Sequence, residues 1–172
     1  NPCRCGMGGA GKGACGKAPR CQRDYQNRVS GPLFDRIDLT IETPPVTAAD
    51  MALPPPAEGT EQVAARVHRA RDIQLARGEA LGIPLKDALN ARLTGEALET
   101  FTRPDADGKA LLTKAAETTG MSARGWTRTL RLARTIADLE GSEVILRRHI
   151  AEALMYRRTT HRAEQAFTAM TT

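Results

Sequence analysis

All four cysteines of this chain, Cys3, Cys5, Cys15 and Cys21, lie before residue 22, in a stretch where eight of the first 22 positions are glycine or proline. Such a stretch has too few apolar side chains to bury a core, and its glycines raise the entropic cost of any fixed shape. Two kinds of structure are therefore expected: a cysteine-rich arm held by something other than hydrophobic burial, and a packed remainder. Hydrophobic residues make up 41% of the 172 positions but aromatics only 3%. A core of Ala, Leu, Val and Ile suits packed helices better than a β-sandwich, so the fold class is mainly α with a small β element.

The spacing Cys3-x-Cys5, nine residues, Cys15, five residues, Cys21 lets four thiolates wrap a tetrahedral Zn²⁺. No run approaches the roughly 20 apolar residues of a membrane helix, and no apolar signal region opens the chain. A soluble, cytoplasmic protein is expected, and disulfides are rare in that compartment. Metal binding would supply the ordering energy that the arm lacks; redox-labile pairs or free thiols in a disordered arm are the alternatives. His68, His149 and His161 fall in or beyond helices and are left out of the metal set. Gly6-Met7-Gly8-Gly9-Ala10-Gly11-Lys12 matches a phosphate loop, but Gly13 stands where that loop needs Ser or Thr, and no apolar strand precedes it. A glycine loop between cysteines accounts for it better.

The chain carries 25 basic and 20 acidic side chains, a formal charge of +5. Residues 1–30 hold all of this excess, as Arg4, Lys12, Lys17, Arg20, Arg23 and Arg28 against Asp24. An anionic partner is to be sought at the arm first.

Beyond the arm, residues 37–43 alternate apolar and polar, which predicts a strand with one buried face. Pro44-Pro45 ends it, and the run from Leu53 to Gly59 reads as an extended linker, placing a boundary near residue 58. Five helices are predicted after it. Thr60 caps the first, with Val63, Val67, Ala70 and Ile73 inward and an end near Gly78. The second follows Thr94, and the third runs from Asp105 to Gly120 with Leu111, Leu112, Ala115 and Ala116 inward. The fourth runs from Ser122 to Gly141, with Trp126, Leu130, Ala133 and Ala137 on one face. The last, around residues 148–157, buries Ile150, Ala153 and Leu154. Arg124, Arg128 and Arg131 line the other face of the fourth helix, with Arg134 at its margin. Such a stripe is ordinarily solvated. Arg36 follows a Gly-Pro turn, and an ion pair with Asp35 or Asp38 would account for it.

Four separated motifs occur together: Asn1-Pro2-Cys3-Arg4-Cys5-Gly6, residues 30–38 (SGPLFDRID), Asn90-Ala91-Arg92-Leu93 and residues 133–141 (ARTIADLEG). With them the chain resembles the C-terminal part of the ComM/YifB magnesium-chelatase-like family of AAA+ ATPases over roughly residues 1–158. The resemblance implies a hexameric ring that uses ATP and Mg²⁺ to drive branch migration of single-stranded or branched DNA in natural transformation. It implies residues 1–58 as the end of an αβα ATPase core with its cysteine insert, and residues 59–172 as a helical lid. By the same resemblance Asn1 corresponds to the sensor 1 asparagine, Arg36 to an arginine finger and Arg124 to sensor 2, with Arg128 as the fallback. Arginine suits both cationic roles, because its planar fork holds phosphate oxygens and stays charged. With no Walker A lysine or acidic Walker B segment, the chain alone is expected to be inactive, and its strand to lack most of its sheet. Arg4 stands where the family's usual pattern has proline. A metal-stabilised DNA-binding module and a magnesium chelatase motor subunit are the alternative functions.

Overall fold

A computed structural model describes residues 3–6, 14–34, 36–41, 43, 46–54 and 57–157. The predicted elements that fall on Glu42, Pro44-Pro45 and Pro55-Pro56, most of the glycine loop, His161 and the tail from Thr159 lie outside them. The chain divides into two compact units, Asn1–Ile37 and Asp38–Thr172. No helix among the described residues is long and apolar enough to cross a membrane.

The first unit contains helix α1 (Arg20–Gln26) and a single helical turn, α2 (Gly31–Phe34). Among its described residues only Cys3 is buried. The second unit begins with α3 (Ala48–Met51), where Thr47 and Asp50 form a reciprocal capping box. There follow α4 (Thr60–Ala80), α5 (Gly95–Phe101), α6 (Ala106–Thr119), α7 (Ala123–Glu140) and α8 (Arg147–Met155), with 3₁₀ turns at Leu85–Asp87 and Asn90–Arg92.

Caps set the ends of the longer helices. Asp105 accepts from the Gly108 N–H at 2.7 Å to start α6, and Ser122 accepts from Gly125 at 3.0 Å to start α7. Gly120 and Gly141 close these helices at φ +64° and +77°, the left-handed conformation that glycine adopts without a Cβ penalty. Gly59, not Thr60, caps α4, its N–H bonded to the Gln62 side chain.

The core comprises Leu112 of α6, Ala133 and Ala137 of α7, Ile145, and Ile150 and Ala153 of α8, with Trp126, Leu130 and Leu154 packed against it. These faces match the sequence pattern, and the small alanines let α7 and α8 approach closely. The face of α4 differs from expectation. Its buried residues are Ala70, Gln74 and Gly78, whereas Val63, Val67 and Ile73 are each exposed by more than a third. Close approach decides the matter, since a Cβ built on Gly78 would lie 2.5 Å from the Ala88 Cβ. Gly78→Ala should therefore destabilise the unit by about 1–3 kcal/mol despite alanine's better helix propensity, as read from the urea midpoint.

The predicted strand does not form among the described residues. Ile37, Leu39 and Ile41 are exposed, and the one bond that Thr40 makes among the described residues is from its N–H to the Tyr156 carbonyl at 2.8 Å. A strand needs a neighbour to complete its ladder, and the sole β-type pairing among the described residues is the bridge between Pro104 and Ile145.

Candidate metal centre and anion-binding arginines

Turns bring the four cysteines of the first unit together. Gly6, at φ +74°, donates its N–H to the Cys3 carbonyl at 3.0 Å and folds the chain back after Cys5. Ala18 closes a similar turn onto the Cys15 carbonyl at 2.9 Å, and Cys21 follows in the first turn of α1. The four Sγ atoms all lie within 4.8 Å of one another, with Cys3 and Cys5 only 3.0 Å apart. Tetrahedral zinc at a Zn–S distance of about 2.3 Å needs sulfurs about 3.8 Å apart, so a small adjustment closes the set. Four sulfurs and no open position are the donor chemistry of a structural site.

The thiols burden one another. A hydrogen bond to Cys5, and then burial, push the Cys3 thiol up. At Cys15 the Lys17 N–H pulls down, but Cys5, burial and Cys21 outweigh it. A cation placed among close sulfurs would favour their thiolate forms.

The sequence-predicted arginines have different fates. Asn1 lies outside the described residues. Arg36 is exposed in the first unit and donates to the Pro32 carbonyl at 2.8 Å. Of the two carboxylates considered for it, Asp35 lies outside the described residues and Asp38 is instead ion-paired with Arg128 in the second unit. Arg124 is exposed in the first turn of α7, which contains no acidic residue, and it makes no ion pair among the described residues. A cation at that end opposes the helix dipole, so nothing in the helix itself favours it there.

Arg131 and Arg134 depart from the solvated stripe. Arg131 is half-buried and donates to the Leu93 carbonyl at 2.5 Å. Arg134 is buried: its Nε meets Asp138 at 3.0 Å and its other nitrogens donate to the Ser142 and Glu143 carbonyls, clamping the loop after α7. Burial lowers the Arg134 pKa, and the Asp138 carboxylate opposes that shift. Asp138 also takes Arg77 of α4 and the Asn90 side chain, the latter at 2.7 Å. Thus Asn90 and residues 133–141, two of the four motifs, bind α4, the 3₁₀ turn at Asn90 and α7 to one another. The i,i+4 spacing of Arg134 and Asp138 was the available sequence signal. His149 is structural too: its Nδ1 accepts from the Leu146 N–H at 3.0 Å and its Nε2 faces Glu140. Arg148, then His149, hold the Glu140 carboxyl below the usual carboxylate range.

The profile of the magnesium chelatase subunit ChlI C-terminal family matches residues 57–157, and that of the magnesium chelatase subunit ChlI family matches residues 1–51. The protein YifB of Escherichia coli is 35% identical over 142 residues, covering 77% of this chain and 25% of YifB. The competence protein ComM of Haemophilus influenzae is 36% identical over 134 residues, with the same shares. Rv2897c of Mycobacterium tuberculosis is 33% identical over 159 residues, 92% of this chain and 30% of that protein. The chain thus spans about a quarter to a third of the length of these relatives.

Proposed function

The chain belongs to the ComM/YifB magnesium-chelatase-like family, and on that premise we propose that it is the sensor-bearing and lid portion of a hexameric AAA+ ATPase that acts on DNA. In this reading residues 1–58 end the ATPase core and residues 59–172 form the lid. The observation that carries it is the state of the arginines. Arg36 and Arg124 stand exposed without a carboxylate partner among the described residues, while Arg128 is committed to Asp38. That difference favours Arg124 over Arg128 for the sensor 2 role. A γ-phosphate spreads charge over three oxygens in the transition state, and positioned guanidinium groups neutralise it. With the family's Asn1 orienting water, Arg36 reaches the phosphate of a neighbouring subunit and Arg124 couples the lid to nucleotide state. ATP and Mg²⁺ are held by the complete subunit, and Cys3, Cys5, Cys15 and Cys21 hold a structural Zn²⁺ that supplies cross-linking and no chemistry.

Arg36→Ala and Arg124→Ala, made in the complete protein, should each lower ATP turnover by about 10²-fold or more. A finger acts across an interface, so mixing Arg36→Ala subunits with subunits unable to bind ATP should restore turnover at the mixed sites. Unchanged turnover in both variants would refute the assignment. Stimulation by forked or single-stranded DNA, with no effect on metal insertion into a porphyrin, separates this motor from a chelatase subunit.

A further inference from the structure

Beside the four thiols the first unit has an open cleft of about 560 Å³, and Arg4, Lys17, Arg20, Arg28, Asp24 and Tyr25 line it. Asp24 is the single carboxylate on this wall, and it pairs with Arg20 at 3.7 Å in an exposed i,i+4 contact. The other three cations have no ion pair among the described residues. A second hollow of about 720 Å³ shares Arg4, Lys17 and Cys21 with the first, so the basic wall continues over the cysteine cluster. Both hollows are larger than a lone phosphate, and each is lined by more than one cation. The half-buried ring of Tyr25 adds a flat apolar surface to a positive groove.

We propose that this cleft is a contact site for single-stranded nucleic acid, in which Arg4, Lys17, Arg20 and Arg28 follow backbone phosphates and Tyr25 stacks on an unpaired base. A cationic groove with a stacking platform is the general solution for sequence-tolerant single-strand binding, whereas the bases of a duplex are closed to such a ring. The inference rests on the zinc reading of the arm. Arg4 lies between Cys3 and Cys5, Lys17 two residues after Cys15, and Arg20 immediately before Cys21. A metal that fixes the sulfurs thereby fixes three of the four cations. A four-thiolate zinc centre carries a charge of −2, which offsets part of the +5 of residues 1–30 and leaves the segment positive.

The test is fluorescence anisotropy of a labelled oligo-dT strand with the zinc-loaded 172-residue chain, titrated over a range of salt. Log K should fall with log salt at a slope of about −0.7 per phosphate contact. Lys17→Glu/Arg28→Glu should weaken binding at least tenfold and flatten that slope. Tyr25→Leu should cost about fivefold or more with the slope unchanged. Metal content is measured on every sample, so a variant that loses zinc is recognised as such, and Tyr25→Leu, which touches no charge, then decides. Equal binding by wild type and the charge-reversal variant at equal metal content overturns the proposal. So does binding of duplex DNA or polyglutamate as tight as that of the single strand, which marks the cleft as a general anion surface. A chain without zinc fails the metal reading, and the same comparison of variants still judges the cleft.

Discussion

Replacing Asp138 by alanine should destabilise the helical unit by about 3–5 kcal/mol. The Asp138 side chain is fully buried, Arg134 beside it is 3% exposed and Arg77 19%. Removing the carboxylate leaves one wholly buried guanidinium with only carbonyl partners, and it leaves the Asn90 amide short of an acceptor. Each loss costs a desolvated, unpaired group instead of one ordinary hydrogen bond. Asp138→Asn should cost less, since a carbonyl oxygen remains for Arg134. Leu139→Ala, next in sequence but 38% exposed, should stay within about 0.5 kcal/mol. Urea denaturation measures all three, and the expected signature is a lower midpoint with an unchanged slope. An Asp138→Ala chain as stable as the parent would mean that the network contributes nothing net.

That network shows where sequence reasoning runs out. The ends of α6 and α7 were legible because caps are local: Asp105, Ser122, Gly120 and Gly141 each act within one turn. The faces of α6, α7 and α8 were legible because period 3.6 sorts apolar from polar. On α4 the same rule placed Ala70 correctly but Val63, Val67 and Ile73 wrongly. Periodicity finds an apolar face but not which neighbour comes close, and contact through Gly78 and Ala70 buries small residues while leaving Val63 and Val67 out. The strand failed for a related reason, since alternation gives a tendency whereas pairing needs a second segment. Helix α1 has no buried residue to give a pattern, so its polar sequence went unread. At the arginines, spacing could name Arg124, Arg128 and Arg131 together, but only their partners Asp38 and the Leu93 carbonyl tell them apart.

The largest effect expected is at the thiols. Residues 3–6 and 14–37 bury only Cys3 among those described, so hydrophobic burial cannot offset the entropy of ordering that segment. A structural zinc site contributes an apparent binding free energy of about 10–16 kcal/mol at neutral pH, ample to fold it. The purified chain should then carry one zinc, with four thiols protected from a titrating disulfide reagent. A strong chelator should expose all four and melt α1, seen as collapse of the amide shifts of Arg20–Gln26, while α4 to α8 unfold at the same urea concentration as before. The two units separate in this way because the core at Leu112, Ala133 and Ile150 contains no thiol. If four ligands share the binding energy equally, Cys5→Ser or Cys21→Ser should weaken zinc affinity by about a hundredfold or more. Freely titrating thiols in an untreated chain with no bound metal would remove the metal from this account, and chelation that unfolds both units together would show that the arm is no separate module.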